Sequence, residues 1–326
     1  MAFKDRQAGT GEHFWTERIV VFLAALICCF LWGSASPAIK IGYQLFSVPE
    51  DGLASRILFA GLRFMIAGLM VIAFDSIRKK KFSAPKRLSV KYVLALMAFQ
   101  TILQYVFFYT ALAHTSGVRG SIINAAGTFF SIMLSAFVFR YEKLTVRKTI
   151  GSILGFLGVV LITTGGTFTN TPFTPVGDGA MIAAAFSSAM AANLIKKFSL
   201  CEDPVILSGW QFFLGGLIMA AGGLAAGGRL APTGPEAFIL LLYMGFISAG
   251  AYTLWSILLK YNDVSRIVIL GFMNPVLGVL LSAVFLHEGA EAFRVQTLLS
   301  LLLVSAGIVI SGRKSRRCEH KSPVSR

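Results

Sequence analysis

The stretch FAGLRFMIAGLMVIAF, residues 59–74, sets one arginine inside an otherwise apolar run. A guanidinium at the centre of a bilayer costs about 2.5–3.5 kcal/mol on insertion scales, so Arg63 is expected to face a protein interior or a wet cavity. The rest of the 326 residues says why a bilayer is the right reference. The chain is 56% hydrophobic and only 14% charged, against roughly a quarter charged in soluble domains. Its apolar residues fall in blocks of about twenty, the length a helix needs to cross a hydrocarbon core. The blocks predict ten spans, at 19–41, 53–75, 92–113, 117–139, 150–168, 179–196, 205–226, 237–259, 267–286 and 295–312. The expected fold is an all-α integral membrane protein.

The net charge of +15 is unevenly placed. With the N-terminus inside, the segments 1–18, 76–91, 140–148, 196–204, 260–266 and 313–326 hold 24 of the 30 Lys and Arg, whereas the outside segments hold four. This asymmetry orients membrane helices. It places both termini in the cytoplasm of a multi-pass protein of the cell membrane, and it requires no nucleic acid. The tracts RKKK (78–81) and RKSRR (313–317) read as topology anchors that also attract anionic lipid. Arg18, the apolar run after it and SAS (34–36) imitate a signal peptide; the reading adopted is a retained first helix, because the later charge bias needs it. Four scattered cysteines imply no disulfide framework.

Sliding the chain along itself discloses two halves. Near a shift of 147, Tyr105 falls on Tyr252 and Arg119 on Arg266; at 146, Glu142 falls on Glu288; at 148, Arg63 falls on Gln211, Phe64 on Phe212 and Gly68 on Gly216. Five spans per half is an odd number, so the second half inserts upside down. Inverted repeats of this kind place a solute site near the midplane between them. The expected organisation is a cytoplasmic segment 1–18, a first repeat 19–168, an outside linker 169–178, a second repeat 179–312 and a basic cytoplasmic tail 313–326. In the linker, Asp178 or the residues before it are expected to cap the next helix.

FLWGSASPAIK (30–40), LRFMIAGL (62–69), the two closing segments 139–166 and 285–312, and MNPVLGVLLS (273–282) together resemble the EamA-type transporters of the drug/metabolite transporter superfamily. The resemblance covers residues 19 to about 312. It implies ten helices in two inverted five-helix repeats and, for most relatives, export of amino acids, other small metabolites or drugs. The second half departs by lacking an arginine at the position of Arg63 and by carrying HEGAEA where the first half has EKLT. The motifs leave substrate, direction, coupling ion and oligomeric state open.

Arg63 has two readings: it holds a substrate carboxylate or phosphate in the bidentate way a guanidinium allows, or it bonds carbonyls exposed by a broken neighbouring helix. The nearest acidic residue on its own span is Asp75, roughly 18 Å along a helix. Lys40 either snorkels to the surface or attracts solute at the outer mouth. Pro37, in WGSASP (32–37), and Pro275, beside Asn274, are expected helix breaks. Trp32 either stacks on a substrate or packs. Gln100, Gln104, Tyr105, Asn124, Thr128, Gln211, Tyr252 and Asn274 offer a polar lining, each of which alone is as readily helix-to-helix glue. Glu288 beside His287 is a candidate gate or proton site, and Glu142 reads as structural. Gly151, Gly155 and Gly158 read as a packing face.

No P-loop, metal-ligand spacing or nucleophile–base pattern is present, so the chain is not expected to be an enzyme or to carry a cofactor or metal. The reading is a secondary transporter, exporting a small anion-bearing or amino-acid-like metabolite by alternating access. Multidrug efflux of lipophilic compounds and a non-transporting membrane receptor or assembly factor are the alternatives.

Overall fold

In the computed structural model, residues 13–49, 52–114, 120, 123–164, 173–274, 276–277, 280–281 and 295–312 are described. They form helices and no strand. The helices are α1 (Arg18–Leu45), α2 (Leu53–Lys79), α3 (87–114), α4 (Ile123–Val138), α5 (Val146–Thr164), α6 (Pro175–Phe198), α7 (Pro204–Ala225), α8 (Pro235–Tyr261), α9 (Val264–Leu270) and α10 (Val295–Gly312). Six of them, α1, α2, α3, α6, α7 and α8, are long and apolar enough to cross a membrane. Segments Ile123–Val138 and Leu302–Ser311 are shorter apolar helices.

The side chains are distributed as lipid requires. Phe22, Ile27 and Phe30 of α1, Leu69 and Phe74 of α2, and Phe238, Ile239, Leu242 and Phe246 of α8 point outward, while Arg63, Thr101, Gln211 and Ser248 are buried. A water-soluble bundle would invert that order. In hydrocarbon the polar groups go inside, where other protein groups satisfy them.

Helix ends follow from local chemistry. Pro204 and Pro235 stand in the first turns of α7 and α8, where a missing N–H costs nothing. The Asp203 carboxylate accepts from Val205 N at 3.0 Å and caps α7. Asp178, expected at the cap of the next helix, lies inside a helix that already begins at Pro175 and accepts from Thr174 N, just before it, at 2.7 Å. Lys80 closes α2 in the left-handed conformation, after Arg78 and Lys79 in the last turn. One expectation fails here. Pro37 does not break its helix: α1 runs on through it to Leu45. Pro37 is buried between neighbouring helices, the setting in which a spanning helix tolerates proline because its surroundings re-satisfy the freed groups.

The most extensive pairing is α2 with α7, followed by α5 with α10; α8 packs on both α1 and α2, and α3 and α4 pack on α6. The α2–α7 crossing brings backbones together at glycines. A Cβ on Gly216 would stand 2.3 Å from Met65 N and 2.7 Å from Gly61 O, and one on Gly68 would stand 2.3 Å from Phe213 N and 2.6 Å from Gly209 O. The expected Gly151 packing face lies against α10, where a Cβ on Gly151 would meet Gly307 O at 2.6 Å.

Two ionic clusters tie helix ends together. Asp75 accepts from Arg78 (2.8 Å), Lys79 (2.6 Å) and Ser83 (2.5 Å), and Lys79 also meets Asp203 at 3.0 Å. Glu142, between α4 and α5, accepts from Ser135 Oγ (2.7 Å), Ser265 N (2.9 Å), Ser265 Oγ (2.5 Å) and Lys148. Burial pushes the Glu142 carboxyl up, but the hydrogen bonds from Lys148, Ser265 and Ser135 outweigh it and hold the carboxyl below the ordinary glutamate value.

Two outcomes follow from this packing. Gly216→Val forces two backbones apart and is expected to cost at least about 1–3 kcal/mol, read as a lower unfolding midpoint of the detergent-purified protein. Glu142 contributes its full stability above the unfolded carboxyl value of about 4.3 and loses it as pH falls through the depressed folded value. The wild-type midpoint should therefore drop over that acidic window more than that of Glu142→Gln, which starts lower at pH 7.

Candidate functional site

Arg63 sits mid-way along α2 and is 4% exposed. Its Nε donates to Ser248 Oγ on α8 at 3.1 Å, and that hydroxyl is itself tied to Met244 O at 3.2 Å. The guanidinium lies over the Phe64 ring, with Cζ 4.6 Å from the centroid, and 5.9 Å from the Tyr105 centroid. The Tyr105 hydroxyl is also within reach of the guanidinium. Among the described residues no Asp or Glu forms an ion pair with Arg63. Neither Nη1 nor Nη2 is among the buried polar atoms left without a partner. Nε is thus held by a neutral hydroxyl, and among the described residues the guanidinium has no carboxylate as a fixed counter-ion.

Around this charge five helices contribute one contiguous cluster. Tyr105 of α3 and Tyr252 of α8 join hydroxyl to hydroxyl at 2.5 Å. Gln104 also reaches Tyr252. Trp32 of α1 packs edge-on against Tyr252 at 5.1 Å and Trp255 at 5.0 Å. Phe64 stacks on Phe212 of α7 at 5.4 Å and 8°, and Phe212 meets Tyr252 at 5.0 Å. Gln211, fully buried, accepts from Thr101 Oγ1 at 2.5 Å while its Nε2 has no partner; Trp32 Nε1 likewise has none.

The structure therefore gathers Trp32, Arg63, Gln104, Tyr105 and Tyr252 in direct contact, with Gln211 beside them through the Phe212 neighbour. It does not gather the rest. Lys40 is exposed five residues before the end of α1, and Asn124 is exposed on α4. Gln100 is buried one turn before Gln104, and Thr128 and Asn274 are half-buried; Asn274 N donates to Gly271 O at 3.0 Å. Pro275, His287 and Glu288 lie outside the described residues.

Ser248, Thr101 and Trp255 were not expected. A signal existed for two of them: Thr101 and Ser248 are 147 apart, the same shift that relates Tyr105 to Tyr252. The π-helical turn Met97–Leu103 that carries Thr101 had no sequence signal, although such turns are frequent at functional sites. The cluster offers one fixed positive charge, hydroxyls and amide or indole donors. It holds no nucleophile with a base, and among the described residues no group of His, Cys, Asp and Glu is placed to hold a metal.

The EamA-like transporter family model matches residues 19–164 and 175–313. Along 92% of its length the chain is 25% identical to an uncharacterized transporter, YvbV, of Bacillus subtilis, covering 93% of that protein. Along 88% it is 27% identical to a probable amino-acid metabolite efflux pump of Escherichia coli, covering 93% of it. A crystal structure that is 19% identical superposes with a TM-score of 0.72 over 91% of this chain and 97% of its own, a likeness of fold. The chain belongs to the EamA-like transporter family and is a multi-pass protein of the cell membrane, a transporter and not an enzyme.

The tyrosine bridge makes a further expectation. Tyr105→Phe and Tyr252→Phe each remove one partner of the same hydrogen bond, so a double-mutant cycle on the unfolding midpoint should show coupling of about 0.5–1.5 kcal/mol. Additive losses would mean that the two hydroxyls act separately.

Proposed function

We propose that the chain exports a small, anion-bearing, amino-acid-like metabolite by alternating access, with Arg63 holding the anionic group. One observation carries this reading: a buried guanidinium tied by Nε to Ser248, with no described carboxylate beside it. An ion of that kind is expensive unless something pairs with it for part of the cycle. A solute carboxylate or phosphate is such a partner, and the forked donors of arginine suit it. That two of its relatives are named probable amino-acid metabolite efflux pumps supports both the solute class and the direction.

The proposed frame has ten spanning segments in two inverted repeats, 19–168 and 179–312, with both termini cytoplasmic and the basic cytoplasmic segments against anionic lipid. Support comes from contacts that exchange when each residue is replaced by its counterpart in the other half. Arg63 bonds Ser248, and the counterpart pair is Gln211 with Thr101. Gly61 meets Gly216, and the counterpart pair is Gly209 with Gly68. Tyr105 and Tyr252, and Phe64 and Phe212, are counterparts that touch each other. Residues that lie on a pseudo-twofold axis do this. The repeats then rock about the tyrosine bridge and the aromatic stack, which places Arg63 beside the axis at the midplane.

The aromatic group Trp32, Tyr252 and Trp255 favours a second reading, efflux of lipophilic ring compounds. The single cation makes such compounds neutral or anionic.

The test is flux in proteoliposomes, with amino acids, N-acyl amino acids, organic acids and neutral aromatic drugs as solutes. The account expects saturable flux of at least one anionic solute, reduced about tenfold or more by Arg63→Gln, the loss expected for one charge-assisted pair of about 1.5–3 kcal/mol. Undiminished flux in Arg63→Gln, or flux of neutral drugs alone, would overturn it.

A further inference from the structure

We infer that Ser248 is a positioning residue that presents Arg63 edge-on, and that this presentation selects a flat carboxylate over a tetrahedral phosphate, phosphonate or sulfonate. The inference rests on the reading of Arg63 as the solute's anchor and narrows the class of anion.

Three features of the site carry it. The first is the engaged nitrogen. A guanidinium can meet a carboxylate along two edges, one using Nε with an Nη and the other using both Nη nitrogens. Ser248 Oγ takes Nε at 3.1 Å, and Met244 O, 3.2 Å from the same oxygen, fixes the hydroxyl in turn. Ser248 is fully buried, so its oxygen has little freedom to leave. With Nε engaged, the edge left for a bidentate anion is the one formed by the two Nη nitrogens.

The second feature is what stands beside the guanidinium. The Phe64 ring lies 4.6 Å from Cζ and the Tyr105 ring 5.9 Å. Phe64 is itself braced by Phe212 and by Tyr105, whose centroid is 4.4 Å away. A carboxylate places both oxygens in the guanidinium plane. A tetrahedral anion that forms the same two bonds leaves at least one oxygen out of that plane, against ring carbon, where it loses water and gains no donor.

The third feature is charge. Arg63 is the cation of this cluster. Arg56, seven residues earlier on α2, lies over Tyr43 at 5.5 Å and has contacts of its own. A carboxylate neutralises one guanidinium. A phosphate monoester carries about 1.5 to 2 negative charges at neutral pH and would leave charge uncompensated in a low-dielectric interior.

The counterpart position shows what is lost without the charge. Gln211 meets Thr101 as Arg63 meets Ser248, but its amide is neutral and keeps only the donors of one nitrogen, Nε2, which has no partner. Only one of the two counterpart positions carries a charge.

The experiment is a thermal-shift titration of the purified full-length protein with benzoate, benzenesulfonate and phenylphosphonate. These share one ring; sulfonate separates shape from charge, because it is tetrahedral yet singly charged. The expected result is that benzoate binds wild type about tenfold or more tighter than either of the others. Ser248→Ala should shrink that ratio to about threefold or less, because the guanidinium can then rotate. Ser248→Thr, which keeps the hydroxyl, should restore it. Loss of a merely structural contact would lower the midpoint without changing the ratio. Equal or tighter binding of sulfonate or phosphonate to wild type, or a ratio unchanged in Ser248→Ala, overturns the inference; if Arg63→Gln still abolishes binding of all three, the anion-anchor reading survives it. Binding unaffected by Arg63→Gln, or no stabilisation of wild type by any of the three, overturns both.

Discussion

An arginine buried inside an apolar bundle with a hydroxyl for its fixed partner is the constraint on which the site depends. A carboxylate at that place would neutralise Arg63 permanently and leave nothing for a solute to do. Ser248 instead settles one nitrogen and leaves the charge uncompensated, and the aromatic rings of Phe64 and Tyr105 provide a polarisable surface for a cation that the lipid side cannot. The α2–α7 crossing makes this tolerable. Because Gly61, Gly68, Gly209 and Gly216 let the two backbones close up, Phe64 and Phe212 are stacked rather than splayed, and Arg63 is held away from lipid.

The same crossing divides labour within the molecule. Close glycine contact leaves no slack between α2 and α7, and the Asp75–Lys79–Asp203 cluster clamps the end of α2 to the start of α7. The cluster at the Tyr105–Tyr252 bridge is of another kind. It is joined by single hydrogen bonds and ring edges, with two donors, Gln211 Nε2 and Trp32 Nε1, left unsatisfied. Rigid packing is where atoms meet backbone to backbone, and adaptable packing is where polar groups have bonds still to make.

Much of this was legible in the amino-acid order, for identifiable reasons. Arg63 announced itself because a charge in an apolar run is costly enough to be rare. Tyr105 and Tyr252 were found by the repeat shift, and the three glycines of α5 by their spacing. Ser248 and Thr101 were not singled out, because serine and threonine occur throughout membrane helices and carry no cost that marks them; only the shift of 147 links them. Asn124 was expected in the lining and is exposed, since a polar residue in a span says nothing about which face it occupies until neighbouring helices are placed. Pro37 misled for the opposite reason. The local rule for proline is strong, but tertiary packing around a buried turn overrode it. Pro275, His287 and Glu288 fall outside the described residues.

The central claim is that the Nη edge of Arg63 is where a solute's anionic group docks while Nε stays with Ser248. The most direct measurement is the guanidinium nitrogen spectrum of arginine-labelled protein, with Arg63 assigned by comparison with Arg63→Lys, recorded with and without benzoate. The account predicts that the Arg63 Nη resonances move on titration, saturably, and that Nε holds its place. Motion of Nε alone, or a spectrum indifferent to benzoate, amino acids and organic acids alike, would contradict it.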